Sequence, residues 1–118
     1  MTTAAAANDE KTLSAMVQAV LDAAPLQKYM HPEAAGRKPL TVVTSHGLTG
    51  LTKFGLPVKL AAKAEPNQPA LELTRLDHKG TRGHVTFEYA VEGLAGTFAL
   101  TQDAGGKWSV DKHEFRER

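Results

Sequence analysis

The segment from His84 to Val91 constrains the fold more than any other part of the chain, because apolar and polar residues alternate along it. Val85, Phe87, Tyr89 and Val91 occupy every second position. Successive side chains of a strand point to opposite faces of a sheet, so this spacing predicts a strand with one face on an apolar core and the other in water. Half-buried strands of this kind are typical of antiparallel sheets.

Three glycine-containing segments connect this strand and the later strands to one another along the sequence. Residues 77–80 precede it, residues 92–96 lead to a strand containing Phe98, and residues 103–106 lead to a strand containing Trp108. Glycine supplies the positive φ angles that tight hairpin turns need. Consecutive hairpins predict a meander, in which strands that are adjacent in sequence also pair in space.

Residues 9–24 are predicted to form an amphipathic helix, because its apolar side chains recur at helical spacing. They are Leu13, Met16, Val17, Val20 and Leu21. Pro25 either ends this helix or opens a short second one through Met30. The sequence therefore predicts an α+β fold, an N-terminal amphipathic helix packed on a curved antiparallel β-meander of about five to six strands.

Length and composition limit the classes of function. The chain has 118 residues, a net charge of +1 and no cysteine. This length suits a single domain, predicted over residues 9–118 after a disordered tail at residues 1–8. The balanced charge argues against nucleic acid as a partner, and the lack of cysteine excludes disulfides and thiolate metal ligands. Membrane insertion is not expected, because no apolar run approaches the roughly 18–20 residues that a spanning helix needs.

The N-terminal residues leave two locations open. The run Thr3–Ala7 resembles the small-residue end of a cleaved export signal. If Met1 is an added start, the domain is periplasmic or secreted and bacterial. If it is not, these residues form an alanine-rich tail of a cytoplasmic protein.

The C-terminal third resembles the cystatin-like and NTF2-like group of folds. The resemblance rests on the strand at residues 84–91, the turn at 92–96, the strand at 97–101 and the Gly-x-Trp-x-Val pattern at 106–110. In many such domains, two long paired strands precede a strand whose tryptophan, here Trp108, closes the core beneath the helix. The resemblance therefore implies the α+β fold described above.

The functional residues of that group do not carry over. Inhibitory cystatins use a Gln-x-Val-x-Gly loop, but residues 18–22 lack the glycine and lie on the predicted helix. NTF2-like enzymes place acids, histidine or tyrosine inside a cone-shaped pocket. Here only Tyr89 is polar among the predicted inward residues, which are Val85, Phe87, Tyr89, Val91, Phe98, Leu100, Trp108 and Val110.

Two arrangements of polar residues suggest a metal site and a catalytic nucleophile, but neither arrangement is complete in the sequence. His78 and His84 flank a predicted turn beside Asp77 and could share a metal ion, but their spacing matches no zinc signature, so we interpret them as part of a solvated hairpin tip. Ser45 next to His46 suggests a nucleophile, but no acid is positioned to orient the histidine, so a flexible loop is favoured. We predict no catalytic residue, no metal and no cofactor.

The predicted function is that of a monomeric, non-catalytic domain, a protein-binding or accessory factor that uses its open sheet face or an edge strand. The outward face is polar and rich in threonine, and the candidate partner-contacting residues are Lys59, Lys63, Glu72, Thr86 and Glu88. The alternative is an NTF2-like small-molecule-binding or isomerase-type protein, with a pocket between helix and sheet in which Tyr89 and Trp108 bind the ligand.

Overall fold

Two helices form the N-terminal part of the structure, a computed structural model that describes residues 2–30, 33–34, 39–63, 65 and 69–117, with side chains from residue 10 onward. They are α1 (Thr2–Leu21) and α2 (Ala24–Met30). α1 begins upstream of its predicted start at residue 9, and the predicted domain limits, with a disordered tail over residues 1–8, stay a prediction. Pro25 lies in the first turn of α2. Backbone N–H groups there have no intrahelical acceptor, so the lack of an N–H in proline costs no hydrogen bond.

The apolar stripe of α1 packs on the sheet, which confirms the predicted amphipathic helix. Its members are at most 5% exposed: Leu13, Met16, Val17, Val20 and Leu21. Beside the stripe, the Ser14 hydroxyl accepts a hydrogen bond from the backbone N–H of Thr49 at 2.8 Å. The Gln18 side chain bonds both the N–H and the carbonyl of Thr52. These bonds hold the segment at residues 49–52 against the helix.

Eight strands follow the helices within the described residues. They are β1 (Thr41–Val43), β2 (Thr52–Lys53), β3 (Leu56–Pro57), β4 (Lys59–Ala61), β5 (Leu71–Lys79), β6 (Arg82–Tyr89), β7 (Leu94–Gln102) and β8 (Trp108–Glu117). Six form one sheet in the order β4-β1-β5-β6-β7-β8, and β2 pairs with β3 in a separate hairpin. The fold is α+β, with N-terminal helices packed on a mostly antiparallel sheet, as predicted.

The strands β5 to β8 form the predicted meander, because each pairs antiparallel with the next along the chain. The alternation within β6 is confirmed: Val85, Phe87 and Tyr89 are fully buried. The predicted inward position of Val91 is wrong. Its side chain is 45% exposed, because β6 ends at Tyr89 and a single 3-10 turn follows. Gly93 closes that turn with φ 63°, a left-handed conformation that favours glycine.

The strands β1 and β4 bring parallel pairing into the sheet, which the sequence did not predict. β1 pairs parallel with both β4 and β5. The fifteen residues 44–58 between β1 and β4 give the long crossover that parallel neighbours require, and they contain the β2–β3 hairpin. β4 lies at the sheet edge, whereas β1 has neighbours on both sides and cannot accept a further strand.

Aromatic rings fill the centre of the inner face, the side of the sheet that packs on the helices. The rings of Phe87 and Phe98 lie 5.9 Å apart, and Phe115 meets Phe98 edge-on at 5.7 Å. Gly96 was predicted to lie in a turn, but it is buried within β7, directly opposite Phe87. The absence of a side chain at Gly96 leaves room for the rings, since an added Cβ would lie 2.6 Å from Phe87.

Candidate binding surfaces

The outward side chains of β5 to β8 form one layer, which we call the outer face. Residues directly opposite each other on antiparallel strands share a face, and the register places Thr86, Thr97 and Glu114 in one row across its centre. A depression of about 440 Å³ lies there. Threonines, small residues and charged side chains line it, among them Thr74, Thr86, Glu88, Ala95, Thr97, Glu114 and Arg116.

The two ends of the outer face carry opposite charge in strands β5 and β6. At one end, Glu72 lies directly opposite Glu88. At the other end, Lys79 lies directly opposite Arg82 beside the hairpin turn. Between them, Nε of Arg75 forms a salt bridge with Oδ2 of Asp77 at 2.7 Å, so these two charges in the middle of β5 neutralise each other. The face therefore has an acidic pole and a basic pole at the two ends of the same strand pair.

The structure brings together three of the five predicted partner-contacting residues. Glu72, Thr86 and Glu88 lie on the outer face in β5 and β6. Lys59 is exposed in β4, two strands away from β5, and Lys63 is exposed beyond the end of β4. The lysines therefore belong to a different part of the sheet from the acidic pole, a separation that follows from the unpredicted placement of β1.

A second concave surface, the α1–β8 groove, lies between the helices and the last strand and has a volume of about 690 Å³. On the helix side it is lined by Ala15, Ala19 and Ala23, and on the strand side by Trp108 and Val110. Alanine at every fourth position leaves space beside a helix. That spacing is visible in the sequence next to the apolar stripe, but we did not predict the groove from it.

The two predicted ligand-binding residues do not share a pocket. Tyr89 is fully buried beneath the helices, and it does not line the α1–β8 groove. Trp108 is 5% exposed and lines that groove. The space between helix and sheet is therefore filled at Tyr89 and open at Trp108.

The strand β8 has a free edge, since the described residues pair with it only from β7. It spans ten residues, more than any other strand in the described ranges, and most of its side chains are exposed. Its inward residues pack at two places. Trp108 packs in the core, and Phe115 meets Tyr29 of α2 edge-on at 5.3 Å. The tyrosine hydroxyl also donates to the Glu117 carboxylate at 2.9 Å.

The predicted histidine pair lies on opposite faces of the β5–β6 hairpin. His84 is directly opposite Asp77, with 3.7 Å between its Nδ1 and the carboxylate. His78 is opposite Gly83 instead, and its ring lies 6.1 Å from that of Trp108 on the inner face. One ion cannot contact both rings across the sheet. No group of three or more potential metal ligands occurs within the part of the chain that the structure describes.

The loop at Ser45 and His46 has a local structural explanation. The hydroxyl of Thr44 accepts a hydrogen bond from the backbone N–H of His46 at 3.0 Å. This bond closes a turn of the kind that serine and threonine side chains often stabilise. Ser45 and His46 are exposed. These contacts support the interpretation as a surface loop.

The most buried cation in the described chain, Lys53, ties the β2–β3 hairpin to the helices. It is 8% exposed. Its Nζ donates to the carbonyl of Leu21 at 2.6 Å and to Oε1 of Gln27 at 2.5 Å. A cation is favourable at the C-terminal end of a helix, where α1 leaves carbonyl groups without intrahelical partners. The adjacent Phe54 adopts φ 58° in the hairpin turn, a strained conformation for an aromatic residue.

Burial lowers the pKa of Lys53, and the attraction of Asp22 opposes that effect. Between the lowered pKa and the ordinary lysine value of about 10.4, the unfolded chain binds more protons than the folded one. The stability that the folded chain gains when Lys53 loses its proton is therefore fully present above the ordinary lysine pKa of about 10.4. It is lost as the pH falls through the lowered pKa of Lys53 in the folded chain.

We accordingly expect the free energy of unfolding to rise with pH in this alkaline range more steeply in the native chain than in Lys53→Met. Urea denaturation at a series of pH values measures the difference. Lys59→Met, which removes an exposed lysine of β4, is the matched control. Equal slopes for all three proteins would show that Lys53 is solvated in solution.

None of the helices in the described part of the chain combines the length and the hydropathy that crossing a membrane takes. Comparison of the chain with models of known protein families, with curated proteins and with solved structures gave no match. The resemblance to cystatin-like and NTF2-like domains therefore stays a prediction.

Proposed function

We propose that this chain is a non-catalytic domain that binds another protein through its outer face. The central observation is the charge arrangement of that face, with an acidic pole at Glu72 and Glu88 and a basic pole at Lys79 and Arg82. A partner that carries basic groups at one end and acidic groups at the other interacts favourably with both poles.

The shape of the outer face supports the same proposal. The central depression of about 440 Å³ is lined by Thr86, Thr97 and Glu114 among others. Hydroxyl and carboxylate groups at this point can accept and donate hydrogen bonds across an interface. A polar surface with few large apolar groups is typical of partners that also exist separately in solution.

The acidic pole favours a protein over a nucleic acid as the partner. A nucleic acid presents negative phosphates along its whole length and binds surfaces with clustered lysine and arginine. Here Lys79 and Arg82 form the basic pole at one end of β5 and β6, and Glu72 and Glu88 form the acidic pole at the other end. A phosphate backbone laid along β5 and β6 would meet repulsion at the acidic end.

A photo-activated crosslinking amino acid at Thr97 tests the proposal. Thr97 is exposed at the centre of the outer face. We expect irradiation in the source cells to give a discrete adduct between this chain and a second polypeptide. Thr49 provides the matched control, an exposed threonine in the segment held by α1. Equal crosslinking from both positions, or none from Thr97, would contradict a specific interface on the outer face.

A second candidate function, the binding of a small apolar molecule in the α1–β8 groove, is favoured by the groove volume of about 690 Å³. Ligand pockets commonly enclose about 300–1,000 Å³. The only tryptophan of the chain, Trp108, lines the groove and reports on its occupancy. A saturable change in its fluorescence on adding an apolar naphthalene dye, lost in Ala19→Phe, would support this function, and unchanged emission would contradict it.

A further inference from the structure

The free edge of β8 is long enough to pair with another strand. It spans ten residues, with a register irregularity at Asp111, and the stretch from Lys112 to Glu117 is regularly paired with β7 on its other side. Unpaired edges are templates for strand addition, and natural proteins commonly protect them with charged side chains. β8 does carry charges, but they alternate in sign along its outward side: Lys112, Glu114 and Arg116.

This alternation makes β8 complementary to its own antiparallel image. When two copies pair antiparallel about His113, Lys112 of each copy lies opposite Glu114 of the other. A symmetric interface repeats every contact, so the pairing contains this opposite-charge pair twice. From this self-complementarity we infer that the chain forms a homodimer through antiparallel pairing of β8 with β8. The inference goes beyond the proposed function and does not depend on it, and it replaces the monomer expected from the sequence.

The α1–β8 groove lies where the second strand would be placed. It is lined by Lys107, Trp108, Val110 and other residues of the N-terminal half of β8. Antiparallel pairing about His113 lays the C-terminal half of the second copy's β8 along this half of the first. The alanines of α1 leave space there for the inward side chains of the added strand.

The dimer leaves the outer face accessible. Pairing along the edge joins the two six-stranded sheets into one continuous sheet, with the helices of both copies on the same side. The outer faces of the two copies then form a single extended surface. A protein partner bound there and a second copy bound at β8 would meet at the outward side chains of β8, among them Glu114.

Charge reversal tests the inference by sedimentation velocity over concentrations from ~1 μM to ~1 mM. We expect the native chain to self-associate in this range. Lys112→Glu and Glu114→Lys should each raise the dissociation constant by about tenfold or more, because both opposite-charge pairs become like-charge pairs. Both residues are exposed, so the fold should persist, and circular dichroism verifies that it does. Lys79→Glu, the same charge change on exposed β5, should leave the constant unchanged.

A mixture of the two variants gives the sharpest result. In equal amounts, Lys112→Glu and Glu114→Lys restore opposite charges at both contacts, so the mixture should associate as the native chain does while each variant alone does not. Dimerisation through any other surface would not recover on mixing. A native chain that remains monomeric to ~1 mM, or single variants that associate as well as the native chain, would overturn the inference.

Discussion

Replacing Trp108 with alanine should lower the free energy of unfolding by about 3–5 kcal/mol, the range observed for large-to-small changes of buried aromatic residues. The indole is 5% exposed and lies between α1 and the sheet. On one side it approaches Gly83, where an added Cβ would be 3.2 Å from the ring, and on another it meets His78 edge-on. Removing it leaves a cavity at the floor of the α1–β8 groove that the surrounding strands cannot close.

Urea denaturation followed by circular dichroism measures this loss, because the variant retains no tryptophan for fluorescence. Trp108→Phe is the matched control, and it should cost clearly less because a ring still fills most of the space. A loss below ~1 kcal/mol for Trp108→Ala would mean that the indole is solvated and that the inner face is assigned to the wrong side of β8.

Replacing Gly96 with alanine should cost about 1–3 kcal/mol, the usual result of overpacking a filled core. The new methyl carbon would lie 2.6 Å from two ring atoms of Phe87 and 3.0 Å from Phe115. Phe87 is fully buried and its ring packs against Phe98, so it cannot move without displacing its neighbours.

Gly83→Ala is the comparison for this prediction. An added Cβ there would lie 2.4 Å from the terminal methyl of Met16. A methionine side chain can change rotamer to relieve such a contact, so Gly83→Ala should be the less destabilising of the two. A second test combines Gly96→Ala with Phe87→Leu, since the smaller side chain should recover part of the loss. A larger loss at Gly83 than at Gly96 would contradict the rigid aromatic packing described for β7.

The inner face could be predicted because its pattern is local. Alternation along β6 requires no knowledge of which strands are neighbours, and it placed Val85, Phe87 and Tyr89 correctly. The error at Val91 arises at the end of that strand. An alternating pattern does not show where the ladder of hydrogen bonds stops, and here a turn intervenes before Gly93.

The pairing of β1 could not be predicted for a different reason. Its β-branched residues indicate a strand, but they carry no information on its partners. The parallel ladders with β4 and β5 depend on contacts between residues distant in sequence. As a result, Lys59, predicted to act with Glu72, lies in β4, two strands away from β5, and Lys63 lies beyond the end of β4.

The candidate surfaces were predicted in composition but not in arrangement. The threonines and glutamates of the outer face are evident in the sequence. Their rows depend on a register shift between Leu73 and Arg75 in β5, which breaks the alternation at that point. The buried Lys53 lies in a two-residue strand with no periodic pattern, and its role follows only from its contacts with Leu21 and Gln27.

The central claim is that this domain acts through the outside of its sheet, and native mass spectrometry of the protein purified from its source cells tests it most directly. We expect species whose masses are sums of polypeptides: two copies of this chain, and this chain together with a different protein. A single chain that carries a stoichiometric small molecule, lost in the groove variant Ala19→Phe, would contradict the claim and favour a ligand in the α1–β8 groove.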